Sequence, residues 1–250
     1  MRLSKALLFG LLATAAATSS AWAQTNIGVT GSVVNSVRST IGNATKDLKV
    51  GDQVVQNETI ETASKSRTQI LLVDESNLTI GPDAVFVLDE LAFDPDPKKS
   101  NVAVTMTQGV FRFVSGNLPH ESYILKTPTA VIGVRGTVLD IIVEGVTGAT
   151  TVILREGAAL IRSIASGASV PLDVPGLATV VGPGNVAPTP QATPSPAAEA
   201  ATRNLTAPAG QIQALSVDPN ATNPGGGSPV NVQDISESVK EQSSSDEYPN

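Results

Sequence analysis

Short runs rich in β-branched residues, separated by turn residues, fill the chain from residue 27 to residue 182. The run Ala84–Leu88, for example, follows the turn residues Gly81, Pro82 and Asp83. Such side chains pack well on a pleated sheet, and strands at this short spacing are typical of a sandwich or barrel. No window has apolar residues at the spacing of an amphipathic helix. The pattern therefore predicts an all-β domain, a compact β-roll or sandwich of many short strands.

The stretch Thr127–Val143 is the centre of this pattern and predicts two strands joined through a glycine kink. Pro128 removes a backbone donor and forces its predecessor into extended geometry, so Thr127 is predicted to end the preceding strand. Gly133 and Gly136 lie inside the apolar run. Glycine at such positions usually marks a bulge or a close approach of two backbones.

Arg135 is a lone charge between these two glycines. Burying a charge without a partner is expensive, so its place in an apolar run requires an explanation. It is an arginine on the solvent face of a half-buried strand, a buried structural arginine, or a ligand-binding arginine. We expect the second, with the guanidinium forked onto a carboxylate or onto backbone carbonyls, and with Asp140 or Glu156 as the candidate carboxylate.

Three further segments yield local predictions. The glycine of Arg155-Glu-Gly157 predicts a hairpin turn at that point, because glycine readily adopts positive φ. The prolines and charges of Asp94–Lys99 predict an internal loop. The strand Val102–Met106 beside this loop, and the strand after Gly109, are candidate edge strands that could contact a partner.

The composition changes at residue 183. Ten of the 17 prolines lie from Pro183 onward, together with glycine and serine runs. Apolar residues are too sparse there to offset the entropy of ordering, so residues 183–250 are predicted to form a disordered, acidic tail. Ala207–Val217 is its one mildly apolar island, either a plain linker or a short docking segment.

The first 23 residues have the pattern of an export signal. Arg2 and Lys5 precede the apolar run Ala6–Ala17, and Ala21-Trp-Ala23 is a small-x-small cleavage site. We therefore expect cleavage after residue 23, a β domain over residues 24–182 and a periplasmic or secreted protein. No later segment is apolar for long enough to cross a membrane, so no transmembrane segment is predicted.

The charge and composition exclude several classes of function. The chain has 16 basic and 23 acidic residues and no basic cluster, which makes nucleic acid an unsuitable partner. It has no cysteine and a single histidine, His120, so disulfides, thiol chemistry and a usual zinc shell are not expected. Asp94 and Asp96 are too few oxygen ligands for calcium. We expect no catalytic residues, no metal site and no cofactor.

Paired acids for glycoside hydrolysis remain conceivable on composition alone. Their candidates are Asp74, Glu75, Asp140 and Glu156, but spacing does not show that any two of them face each other. The pair Asp74 and Glu75 is better explained as part of a turn.

Several motifs occur in the order typical of one known family. They are Val54–Thr62 followed by Ser66–Ile80, Gln108–Phe113, the T-P-x-A-x-x-G-V-R-G-T pattern of Thr127–Thr137, and Val152–Gly157. Over roughly residues 27–163 the chain resembles the FecR domain, the periplasmic module named for the iron-dicitrate transport regulator. The resemblance implies that the following residues form a structural motif: Thr127, Pro128, Gly133, Arg135, Gly136 and Thr137.

The resemblance implies binding rather than catalysis. FecR-type regulators also have a cytoplasmic segment that handles a sigma factor and a membrane helix, and we expect neither in this chain. We expect a non-catalytic exported protein that binds a partner protein or ligand in the periplasm or cell envelope, with a sensory or regulatory role exerted through a membrane partner. The alternatives are a secreted or surface structural module and, less well supported, a carbohydrate hydrolase.

Overall fold

A computed structural model describes residues 26–92, 101–119 and 122–205 of the chain. These residues contain fourteen strands and one short helix. The helix α1, Pro196–Thr202, continues into a 3-10 turn at Arg203–Leu205. In chain order the strands are β1 Asn26–Val34, β2 Val37–Ile41, β3 Ala44–Asp47, β4 Gln53–Val55, β5 Thr59–Thr62, β6 Arg67–Leu72, β7 Asn77–Ile80, β8 Val85–Ala92, β9 Asn101–Val114, β10 Tyr123–Lys126, β11 Ala130–Val143, β12 Thr150–Ser163, β13 Ser169–Leu172 and β14 Ala178–Val181.

Three strands of 14 residues each, β9, β11 and β12, change neighbours halfway along their length. The first half of β9 pairs with β8 and β10, and its second half pairs with β7 and β11. In the same way β11 passes from β10 to β9, while β12 passes from β14 to β13. The single hydrogen-bonded sheet is therefore divided into two parts that share these three strands.

Each long strand has a glycine with positive φ at the point where its neighbours change. These are Gly109 (φ 111°), Gly136 (φ 59°) and Gly157 (φ 79°). The register of β11 against β12 shifts between Arg135 and Val138, as expected for a bulge. Such bulges bend a strand and increase its twist. These glycines therefore mark where each long strand bends from one part of the sheet into the other, with Gly136 and Gly157 side by side and Gly109 at the opposite end of the β9–β11 pairing.

The two parts of the folded sheet are named here by their central strands. The β6 layer contains β4, β1, β6, β7, the second halves of β9 and β11, the first half of β12, and β14. The β10 layer contains β3, β2, β5, β8, the first halves of β9 and β11, β10, the second half of β12, and β13.

One hydrophobic core lies between the two layers. It combines side chains such as Ile70 and Leu78 of the β6 layer with others such as Leu88 of the β10 layer, all nearly fully buried. Two aromatic pairs bridge the layers, Phe86 with Phe111 at 6.4 Å between ring centroids and Phe113 with Tyr123 at 5.6 Å. Burying each large apolar side chain contributes about 1.5–3 kcal/mol. The all-β class predicted from the sequence is confirmed, and within the described residues no helix is long and apolar enough to cross a membrane.

The structure corrects three local predictions. The predicted hairpin at Arg155-Glu-Gly157 is wrong, because β12 continues through this point as one bent strand and the positive φ of Gly157 belongs to the bulge opposite Gly136. The two strands predicted within Thr127–Val143 are one bent strand, β11. The candidate edge strands Val102–Met106 and Gly109 onward are likewise one strand, β9, which is paired on both sides and offers no free edge.

Residues 183–205, called the strap below, were predicted to be disordered but pack on the sheet. Ala192 exchanges two backbone hydrogen bonds with Ala178 of β14, at 2.8 and 2.9 Å, and α1 then lies on the outer face of the β6 layer. Hydrogen bonds and an ion pair hold the strap in addition to apolar burial. These polar contacts could not be predicted from the amino-acid composition of the segment. The predictions for residues 1–23, Asp94–Lys99, His120 and Ala207–Val217 fall outside the described residues.

We expect Gly157→Ala to lower the free energy of unfolding by about 2–5 kcal/mol. A Cβ at this position would meet the carbonyl oxygen of Gly136 at 2.0 Å, in addition to the strain of a left-handed backbone. Gly176→Ala is the matched control, because its φ of 85° is similar but no atom lies within 4 Å of its added Cβ. It should cost about 1–2 kcal/mol. Equal urea midpoints for the two variants would contradict the close approach of β11 and β12.

Candidate interaction surfaces

The signature residues at the start of β11 build a turn. The Thr127 hydroxyl accepts a hydrogen bond from the Ala130 amide at 2.9 Å and another from the Thr150 hydroxyl at 2.8 Å. Pro128 follows at the exposed tip of this turn between β10 and β11. These contacts fix the direction in which the chain leaves the turn, so Thr127 and Pro128 support the fold.

The remaining signature residues lie along β11 and separate into two groups. Gly136 forms the bulge, and Thr137 is buried and pairs with Ser115, whose hydroxyl accepts from the Thr137 amide at 3.0 Å. Gly133 and Arg135 alternate with core residues and therefore lie on the outer face of the β10 layer. The signature thus contributes both to the fold and to an accessible surface.

The prediction of a buried, forked arginine at position 135 is wrong. Arg135 is exposed, and its side chain makes no hydrogen bond or ion pair with any described residue. Of its two predicted partners, Glu156 is exposed and Asp140 binds other arginines. The bulge at Gly136 resets the alternation of β11, so Arg135 and Asp140 lie on the outer faces of different layers.

Asp140 is the centre of a buried ion cluster on the outer face of the β6 layer. Its side chain is 0% exposed. Oδ1 accepts from Arg112 Nε at 2.6 Å, and Oδ2 accepts from Arg112 Nη2 at 2.8 Å and from Arg155 Nε at 2.7 Å. A carboxylate is tolerated without solvent only when it is well paired and hydrogen-bonded, and Asp140 meets both conditions.

Arg155 connects this cluster to the strap. Its Nη1 and Nη2 donate to the two carboxylate oxygens of Glu199 at 3.0 and 2.9 Å, and Nη2 also donates to the Thr202 hydroxyl at 2.9 Å. Burial alone lowers the pKa of Arg155, but hydrogen bonds to Glu199 and Asp140 outweigh this and raise it above its usual value. The guanidinium is therefore a permanently charged bridge between sheet and helix.

Arg112, Arg155 and Glu199 were not identified from the sequence. A signal existed for Arg112, because Phe111 and Phe113 on either side of it are core residues and strand alternation then places Arg112 outward. For Glu199 there was no signal, because its contact depends on how the strap crosses the sheet.

Asp74 forms a second buried polar cluster, at the turn between β6 and β7. Its carboxylate accepts from the Ser76 amide and hydroxyl at 3.1 and 2.6 Å and from the Tyr123 hydroxyl at 2.7 Å. Burial, followed by the hydrogen bond to Asp74, raises the pKa of Tyr123 well above its usual value. The cluster joins this turn to the start of β10. Asp74 and Glu75 therefore lie in a turn, as the sequence predicted.

The four carboxylates considered for glycoside hydrolysis do not form a working pair. Asp140 and Asp74 are buried with their oxygens engaged in hydrogen bonds, whereas Glu75 and Glu156 are exposed. General acid catalysis needs a carboxyl group that can exchange a proton beside substrate. No group of three or more histidine or acidic residues suited to a metal ion occurs in the part of the chain that the structure describes.

The outer face of the β10 layer combines cations with exposed apolar side chains. One row across β10, β11, β12 and β13 contains Ile124, Gly133, Leu160 and Pro171. Leu160 is 50% exposed and Ile124 37%. Three exposed cations lie around this row, and none makes a side-chain hydrogen bond or ion pair with a described residue: Lys126, Arg135 and Arg162.

The fold is an all-β domain whose two outer faces differ in charge and exposure. The sequence pattern of the family described as FecR protein matches residues 58–160. This match confirms the resemblance found in the sequence for that region of the chain. No curated protein matches the chain.

Among solved structures, the comparison finds partial similarity to two crystal structures of a protein from Parabacteroides distasonis ATCC 8503 that is described as a "putative anti-sigma factor". One is 16% identical and the other 17%, both with a TM-score of 0.45. Each match covers 58% of this chain and 61% of the solved chain, so the present chain spans less than two thirds of those relatives.

We expect Asp140→Asn to lower the free energy of unfolding by about 3–5 kcal/mol, because it leaves two partly buried guanidinium groups without their shared charge. Arg135→Ala should change it by less than about 0.5 kcal/mol, as is usual for an exposed residue. Urea denaturation of both variants measures the difference. A large loss with Arg135→Ala and none with Asp140→Asn would reverse the assignment of the structural arginine.

The raised pKa of Tyr123 predicts a stability that depends on alkaline pH. Above about pH 10 the tyrosine ionises in the unfolded chain but stays protonated in the folded protein. Its contribution is complete below that pH and is lost as pH rises towards the folded pKa. Above about pH 10, the free energy of unfolding of the wild type should therefore fall more steeply with pH than that of Tyr123→Phe. The difference between the two slopes should reach about 1.4 kcal/mol per pH unit. Parallel pH profiles of the two proteins would contradict this assignment.

Proposed function

We propose that this protein is a non-catalytic, exported FecR-domain protein that binds a partner protein in the periplasm or cell envelope. Residues 1–23 act as the cleavable export signal, the β domain together with the strap forms the binding module, and the part of the tail beyond residue 205 is a tether or spacer. A sensory or regulatory role is exerted through a membrane partner. The observation that carries the proposal is the cationic and apolar outer face of the β10 layer.

The charges on this face are unusual for the chain that carries them. The formal net charge of the chain is −7, yet Lys126, Arg135 and Arg162 lie on the outer face of the β10 layer and none of them forms an ion pair with a described residue. Exposed arginine and aliphatic side chains are typical of the centre of an interface, and clustered charge speeds and orients association. An acidic protein surface would be the complementary partner.

Face binding accounts for the structure better than strand addition does. The edge strand β3 is fully exposed and carries Lys46, and the edge strand β13 contains Pro171. Charges and prolines on edge strands hinder pairing with another chain. The free edge of β4 is three residues long. The broad outer face of the β10 layer is therefore the surface to test.

We expect Arg135→Glu combined with Arg162→Glu to reduce capture of an envelope partner at least about tenfold without loss of fold, because two favourable charges become repulsive. In-cell crosslinking of the full-length chain, followed by identification of the captured protein, is the measurement. Lys49→Glu combined with Lys65→Glu is the matched control, with the same charge change at exposed positions elsewhere. Equal capture by both double variants would remove this face from the proposal, and turnover of a glycan would overturn the non-catalytic assignment.

A further inference from the structure

The guanidinium of Arg155 presents two hydrogen-bonding edges to two different parts of the chain. Nε donates to Asp140, which belongs to the sheet, at 2.7 Å. Nη1 and Nη2 donate to Glu199 and Thr202, which belong to the strap. The sheet alone therefore fixes the orientation of the group, while the strap occupies the edge that faces outward.

Asp140 would hold Arg155 in place even if the strap were absent. Asp140 is also held by Arg112 and has no exposed surface, so its position is set within β9, β11 and β12. A guanidinium already oriented for a bidentate contact loses little entropy when a carboxylate arrives. The outer edge of Arg155 is thus a preorganised receptor for a carboxylate.

A shallow apolar patch lies beside this receptor. Ile142, Ile153 and Ala178 form it on the outer face of the β6 layer, and Ala198 of α1 packs against them. The small side chain of Ala198 allows the helix to lie close to the sheet while Glu199 reaches Arg155. The patch and the receptor together select a short helix with a small residue next to a carboxylate.

Helix α1 occupies this position through few contacts of its own, whereas hydrogen bonds of Thr189, Gln191 and Ala192 hold the preceding part of the strap. Helix α1 has seven residues, which is too short to be stable away from the sheet. Thr193, Pro194 and Ser195 separate it from the backbone pairing at Ala192. Beyond the helix, the contact of Arg67 with the Asn204 carbonyl and the burial of Leu205 hold the 3-10 turn. The partly exposed ion pair of Glu199 with Arg155 is the main polar contact of the helix itself.

We propose that Arg155 and the adjoining patch form a docking site for a carboxylate-bearing helical segment of a partner protein, and that Glu199 of the strap is the internal competitor for this site. The site is distinct from the outer face of the β10 layer and does not depend on binding there. A second copy of the chain is a poorer candidate, because each copy already fills its own site with an identical segment at high effective concentration.

The test uses the full-length chain and a fluorescent synthetic peptide of residues 193–205 as the probe. Glu199→Ala in the chain removes the competing carboxylate, so the peptide should bind this variant at least about tenfold more tightly than it binds wild type. A peptide with Glu199→Gln should bind the same variant about tenfold more weakly, because it lacks the charge that pairs with Arg155. Fluorescence anisotropy measures both affinities.

Trypsin cleavage after Arg203 provides a second readout in the chain itself. The exposed Arg203 follows α1 directly, and cleavage requires the strap to leave the sheet. Glu199→Ala should speed this cleavage several-fold, whereas Glu75→Ala, the same change at an exposed turn, should leave it unchanged. Circular dichroism before digestion confirms that each variant is folded.

Two results would overturn the proposal. Equal binding of the glutamate and glutamine peptides, or no binding to a folded Glu199→Ala chain, would show that Arg155 is not a carboxylate receptor. Formation of a dimer on mixing the Glu199→Ala chain with wild type would assign the site to a second copy rather than to a partner protein.

Discussion

Three glycines, one in each of β9, β11 and β12, are the constraint on which the architecture depends. Each strand bends at its glycine, and Gly136 and Gly157 approach so closely that a Cβ on Gly157 would overlap the carbonyl oxygen of Gly136. Because the same strands continue into both layers, the bend brings two halves of one sheet together over a single core. Apolar burial then stabilises a shape that backbone conformation makes possible.

The outer faces of the two layers are chemically different as a result. The bulge at Gly136 changes which side of β11 faces outward, so Arg135 lies on one outer face and Asp140 on the other. The β10 layer presents cations and aliphatic side chains to its surroundings. On the β6 layer the charges neutralise one another and are covered by the strap. One strand therefore supplies an accessible surface and an occupied one.

Much of the fold could be predicted from the sequence, and the particular ion pairs could not. Turn residues and β-branched runs indicated an all-β domain, and Gly136 indicated a bulge. The face on which Arg135 lies was not predictable, because a bulge resets strand alternation by an amount that only the register reveals. Arg112, Asp140 and Arg155 meet because β11 lies between β9 and β12. Glu199 joins them only because a proline-rich segment turns back over the sheet.

The ion cluster joins segments that lie far apart in the chain. Arg112, Asp140 and Arg155 come from β9, β11 and β12, and Glu199 comes from the strap, so the complete cluster requires all four segments to be in place. A sheet dominated by pairing between distant segments folds slowly, because the entropy lost in closing long loops is not compensated until the distant strands make contact. The full set of contacts to Arg155 forms only when β9, β11 and β12 are paired and the strap lies over them. Packing of α1 on the sheet would therefore indicate that the strands carrying the ion cluster are correctly paired.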